Sequence, residues 1–424
     1  LDGLDGLNWR IGMTTTDAGN PRCPASTPEN GALVLSSCVD RVGAGEFVFI
    51  DEDFSAVCTD RCAVSDAELV VLPTATEVDE SEVPRKWVES SGGVLNIEGV
   101  ADANAALQCY LPQGVAGCGF ESHLQSMFRA VAGASDANDE NNFGFVRAAA
   151  VLAVVMVSDE TDCSFAAAHT DIFIDNKVFW EDPDGPAPTS AVCWNAGVAC
   201  TGNAPTWAEC HAENWDAAGA AGAADADAVL QPVGGFVEFL QQVEDQKRQF
   251  DPNAEVLVSL ITGVPPGYQT FDAELVYEDS PDPGFQGLFG IGPGCIVGDP
   301  NDPQTAVPPV REREWAEAFA TGDGRNLASI CAPDYGEALQ ALARAIQGQI
   351  PPLCFPQCVA DIMPETAVVD VNCEVYEENL VQQTRVPVIK CEDVGGVWVV
   401  PAGNTVQPTA CRPDSMMNAP GVMW

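Results

Sequence analysis

The chain has 424 residues, with 18 Lys plus Arg against 63 Asp plus Glu, a formal net charge of −45. An acidic balance of this size argues against nucleic acid and anionic lipid as partners, because both demand a basic face; divalent cations, cationic partners or a saline medium fit better. With 46% hydrophobic residues the chain is globular and not a disordered acidic tail, and it is long enough for two or three units.

Seventeen cysteines spread along the whole chain imply an oxidising compartment, and the odd count leaves one thiol whose partner lies outside this sequence. No CxxC pair occurs, so a zinc ribbon or a thioredoxin-type motif is not supported. No signal peptide opens the chain and no 18-residue apolar run is long enough to span a membrane. Because the first residue is Leu1, the expectation is a processed or incomplete part of a secreted polypeptide.

Taken in order, 1–8 reads as a helix end and turn, and 9–16 (WRIGMTTT) as a strand with a polar exit. From about 18 to 108 the pattern is irregular: Cys23, Cys38, Cys58 and Cys62 punctuate short strand-like runs at 46–50 and 69–72, as in a disulfide-stapled insertion. Cys109 and Cys118 bracket a turn and are expected to pair. Leu124, Met127, Phe128 and Val131 then form one apolar helical stripe, with Glu121 in its first turn.

The most informative stretch follows at 151–163, VLAVVMVSDETDC. Seven apolar residues in a row suit a strand buried on both faces of a parallel sheet. Beyond the carboxyl ends of such strands open α/β sheets bind their ligands. Here Ser158, Asp159, Glu160, Thr161 and Asp162 would emerge there, hard oxygens that suit Mg²⁺ or Ca²⁺, and a solvated acidic loop is the plain alternative. Cys163 is expected to tie this tip to an insertion. A second insertion runs from about 164 to 232 and holds four tryptophans, read as its core. A helix carrying Phe236, Val237, Leu240 and Val243 leads to a second buried-type strand at 255–262. Helices are expected at about 312–320 and 335–347, with Cys295 paired to Cys331. After Pro351 and Pro352, five cysteines and short β-type runs at 367–371, 386–389 and 397–400 suggest a small disulfide-rich β module.

Enzyme signatures are scarce. There are three histidines, of which His123 lies on a predicted helix and reads as structural; His211 beside Cys210 matches no zinc spacing. No G-x-S-x-G, H-E-x-x-H or P-loop occurs, so no enzyme is expected.

Five phrases resemble a group of bacterial secreted, often lipid-anchored, cysteine-rich proteins built on a von Willebrand factor type A domain. They are WRIGMTTTD (9–17), GCGFESHLQSMFRAV (117–131), NFGFVRAAAVLAVVMVSDETDCS (142–164), AVCWNAGVACTG (191–202) and SICAPDYGEALQALARAI (329–346). The resemblance implies a Rossmann-like α/β domain over 1–349, with insertions at about 18–108 and 164–232, followed by the β-rich cysteine module at 350–424. It also implies a metal-ion-dependent adhesion site. That site uses a D-x-S-x-S motif after the first strand, a Thr from a later loop and an Asp after the fourth strand. Asp159 matches the last. The Thr position falls at or near Cys118, where Glu121 is the substitute oxygen, and no D-x-S-x-S segment occurs. WRIGMTTTD is similar to the second strand, so the first strand would precede Leu1, and another polypeptide segment is expected to supply it. The function implied is non-enzymatic extracellular or cell-surface adhesion. Asp159, Glu160, Asp162 and Glu121 would surround a divalent cation that accepts a partner's carboxylate. The alternative is a structural subunit of an extracellular assembly with no working metal site.

Overall fold

The computed structural model describes residues 7–64, 69–100, 102–299, 302–322 and 324–349, together with short strands between 375 and 399. The chain divides into two compact units, Leu1–Gln349 and Ile350–Trp424.

The first unit begins with β1 (Trp9–Gly12). After it, a cysteine-rich segment carries helix α1 (Cys38–Gly43), capped by the Ser37 hydroxyl. A hairpin of β2 (Val48–Phe49) and β3 (Glu52–Asp53) and the single turn α2 (Ala56–Thr59) come next. Strand β4 (Trp87–Ser91) turns back through β5 (Val94–Leu95) and leads to α3 (Ala103–Tyr110). β4 pairs antiparallel with β1, so WRIG belongs to a separate three-stranded sheet and is not hydrogen-bonded to the parallel one. Ile11, Val88, Ile97, Leu107 and Tyr110 form this lobe's core. Disulfides Cys38–Cys58, Cys62–Cys109 and Cys23–Cys118 tie it together. Cys109 and Cys118 therefore take different partners and not each other. A turn between neighbours in sequence suggested the local bridge, whereas α3 carries Cys109 back against the α2 segment.

Helix α4 (His123–Gly133) leads to β6 (Ala153–Val157). After the second insertion come α6 (Val233–Arg248) and β9 (Leu257–Thr262), and then, past α7 (Pro283–Phe289) and α8 (Val310–Glu317), β11 (Leu327–Ser329) and α9 (Gly336–Gln349). The three strands form a parallel sheet in the order β6-β9-β11. Parallel strands need long crossovers, and the helices that supply them cover the faces. On one face Met156, Val258 and Leu260 pack with Leu124, Phe236, Leu240 and Trp315 from α4, α6 and α8. The opposite face, at Ile261 and Ala328, is covered by Ala338 of α9.

All six residues of β9 are buried, which makes it the strand enclosed on both faces. β6 is not: Val155 and Val157 are 46% and 59% exposed. The apolar run at 151–157 therefore corrects the reading of a strand buried on both faces. The Leu257 N–H donates to the Leu152 carbonyl and the Ser158 N–H to the Ile261 carbonyl. By the alternation of a parallel ladder, the backbone groups of Ala153, Val155 and Val157 then point to the other edge, where no strand pairs among the described residues.

The second insertion is compact. Its core joins Phe165, Ile172, Phe173, Phe179, Trp180 and Leu230, with Cys163–Cys193 among them. Helix α5 (Ala191–Gly197) leads into the hairpin β7 (Val198–Asn203) and β8 (Thr206–Ala212), closed by Cys200–Cys210 and extended by β10 (Tyr277–Glu278). Cys210 is thus a disulfide cysteine and not a zinc ligand. The segment 216–228 is mostly loop, with one short turn of helix at Asp225–Asp227. Cys295 pairs with Cys331 as expected. This unit is a disulfide-rich α/β domain, and its six bridges fit an oxidising compartment.

In the second unit Val375–Asn379 pairs antiparallel with Thr384–Val388, and Glu392–Asp393 with Trp398–Val399. Two of the expected β-type runs overlap these strands. The run at 367–371 and the unit's cysteines lie outside the described residues.

Candidate functional site

The carboxyl end of β6 carries the acidic tip. Ser158 continues the ladder to Ile261, its hydroxyl accepts from the Glu160 N–H at 3.1 Å, and the Asp159 carbonyl accepts from the Val307 N–H at 2.8 Å. These bonds turn the chain sharply and carry Asp159 and Glu160 past the end of the sheet. Glu121 arrives from the start of α4: its Oε2 lies 3.4 Å from the Ser158 hydroxyl, and the Thr16 side chain, beyond β1, also bonds it. Glu121, Asp159 and Glu160 therefore converge.

Their electrostatics agree. Burial pushes the Glu160 carboxyl up to about 8, and the charges of Glu121 and Asp159 reinforce the shift, while the charge of His123 and a hydrogen bond with Ser190 oppose it. Asp159 reaches solvent, yet the protein packed around it and the charge of Glu121 raise its carboxyl as well. Glu121 behaves oppositely. Burial would raise it, but its hydrogen bond and charge contact with His123 prevail and hold it below the usual carboxylate range.

His123 is fully buried at the first position of α4. Its Nε2 lies 2.9 Å from Glu121, and its Nδ1 lies 3.4 Å from Glu312 of α8, an ion-pair contact without hydrogen-bond geometry. Burial opposes its charge, but Glu121, Glu312 and Asp162 together raise the imidazole to about 9. It is an imidazolium joining two carboxylates, and the structural reading is extended by this role. Glu312 is itself 1% exposed, and burial followed by the charge of Asp162 pushes its carboxyl up against the opposing pull of His123.

Asp162 is not brought to the tip. It is fully buried: Oδ2 pairs with Arg311 Nε at 3.0 Å, and Oδ1 accepts from the Ser164 hydroxyl at 2.6 Å and the Leu124 N–H at 3.1 Å. All its oxygens are committed to fastening the acidic loop to α4 and α8, so it does not face a cation beside Asp159. Arg311 and Glu312 carry no recognisable signal in sequence, because Arg311 and Asp162 are 149 residues apart, and the helical position of His123 does not reveal its two carboxylate partners.

Among the described residues no group of three or more His, Cys, Asp or Glu side chains is close enough to hold a metal ion as it stands. The oxygens of Glu121, Asp159 and Glu160 are of the right kind for Mg²⁺ or Ca²⁺, and their mutual repulsion is of the sign a cation relieves, but they do not form a closed cage. No helix among the described residues is long and apolar enough to cross a membrane. In comparisons with known proteins the chain matches no family model, no characterised protein and no solved structure.

Proposed function

We propose that this is a non-enzymatic extracellular binding or adhesion protein built on a von Willebrand factor type A-like domain, whose contact point is the acidic tip of β6. The observation that carries the reading is the meeting of Glu121, Asp159 and Glu160 beyond the carboxyl end of a parallel strand, where sheets of this class bind ligands. Asp159 and Glu160, with Glu121 behind them, would hold Mg²⁺ or Ca²⁺. Water and a carboxylate of the partner would complete its oxygen shell. His123 and Arg311 keep the carboxylates in place from below, through Glu121 and Asp162. Calorimetric titration with Ca²⁺ and with Mg²⁺ tests the proposal. Binding to the intact protein that disappears in Asp159→Ala without loss of folding supports it; equal binding by the two proteins overturns it.

The second reading, a structural subunit of an extracellular assembly, is favoured by the outer edge of β6, on which no strand pairs among the described residues. Thr16 beyond β1 and Ser158 beyond β6 both reach Glu121, and Arg147, ahead of β6, donates to the Asn8 carbonyl ahead of β1. The two strands thus share their ends, and this reading puts a further strand between them. Val155→Pro removes an outward N–H without taking a bond from β9. If strand addition assembles the protein, this variant sediments as a smaller species than the wild type; identical sedimentation counts against assembly by this route.

A further inference from the structure

The hairpin of β2 and β3 closes through Ile50 and Asp51, with φ of 46° and 66°. A two-residue turn with both residues in the left-handed region is normally filled by Asn-Gly, because a side chain branched at Cβ fits that region poorly. Ile50 is nevertheless 79% exposed, so burial does not compensate it. Its neighbours repeat the pattern: Phe49 is 54% exposed and Val57 55%. Val57 also lines an open groove of about 830 Å³ in the same lobe, together with Leu107, Leu111 and Pro112. Cys38–Cys58 and Cys62–Cys109 fasten this platform on both sides. An apolar tip that is both strained and exposed, on a stapled base, is unfavourable for folding alone, and such strain collects at functional positions.

We propose that this hairpin tip and its groove form a recognition surface, separate from the acidic tip of β6, for a cationic, apolar peptide segment of a partner protein. Charge selects the occupant. Asp51, Glu52 and Asp53 flank the apolar residues of the tip, while Asp60 and Arg61 at the groove offset each other, so Lys or Arg beside an apolar anchor is complementary to the tip. With 18 Lys plus Arg against 63 Asp plus Glu, a second copy of this chain offers few segments of that kind.

The test uses the full chain and a fluorescein-labelled amphipathic peptide of leucine and lysine, read by anisotropy. Phe49→Ser and Ile50→Asn should each weaken binding by about tenfold, the loss of one apolar anchor, and leave Ca²⁺ titration unchanged. Asn suits the turn better than Ile, so Ile50→Asn should also raise the melting temperature, by about 2–4 °C. Undiminished peptide binding in both variants would assign it to diffuse charge and overturn the proposal, as would no binding by the wild type. A lower melting temperature in Ile50→Asn would remove the strain on which the argument rests.

Discussion

His123 stands between two unlike carboxylates, Glu121 at the tip and Glu312 in the interior. Its raised value fixes the sign of a pH dependence. The imidazolium's contribution to stability is fully present below its unfolded value near 6.5 and is lost as pH rises through about 9. Glu160 acts in the same direction: its neutral form is favoured in the fold, so stability falls as pH rises from about 4.5 to about 8. The melting temperature should therefore decline between pH 5 and pH 9, and His123→Gln should flatten the upper part of that decline in a thermal-unfolding series. If the tip takes a cation, Ca²⁺ should raise the melting temperature more at pH 9 than at pH 6, because the carboxylates are then charged. Arg311 and Asp162 are buried as a pair, and breaking such a pair leaves an uncompensated charge. Arg311→Met should cost about 3–5 kcal/mol in urea unfolding. The sequence marks Asp159 and Glu160 through the sudden change of polarity after seven apolar residues. It marks Asp162 equally, although that side chain is buried against Arg311, an arginine far along the chain.

At the scale of elements, apolar spacing was a good guide to α4, α6, α8 and α9, whose stripes face one sheet. It also found β9. β6 and β9 read alike, as strongly apolar runs, yet among the described residues only β9 of the two lies between two strands, and a strand's neighbours are not written in its own residues. β11, three residues long, and the antiparallel partner of WRIG at Trp87–Ser91 are too short and too mixed in composition to announce themselves. The disulfide Cys163–Cys193 links the end of the acidic loop to α5. Replacing both cysteines by serine should lower stability by about 2–4 kcal/mol, measured by urea denaturation, and affect cation binding through the looser loop.

The whole molecule concentrates negative charge on a frame with few compensating cations. Self-repulsion of this kind opposes compaction and is screened by salt. Raising NaCl from about 10 mM to about 0.5 M should therefore increase the melting temperature, whereas a protein stabilised mainly by exposed ion pairs would show the reverse. The division at Gln349 coincides with the change to Pro- and Cys-punctuated sequence at Pro351, so the two compositions correspond to two compact units.

The pairing of β6 with β9 has a consequence for how the chain is made. Ala153 lies opposite Leu257, about a hundred residues later, so as synthesis proceeds from the amino end the valine-rich segment emerges well before its partner exists. During that interval it is a sticky ribbon with both edges open. The intervening insertion can reach its own core early, because Cys163 and Cys193 are only 30 residues apart. The nascent chain would thus carry a finished knot of structure directly beside an unfinished strand, and the wait for residues 257–262 is the interval in which misassociation competes with folding.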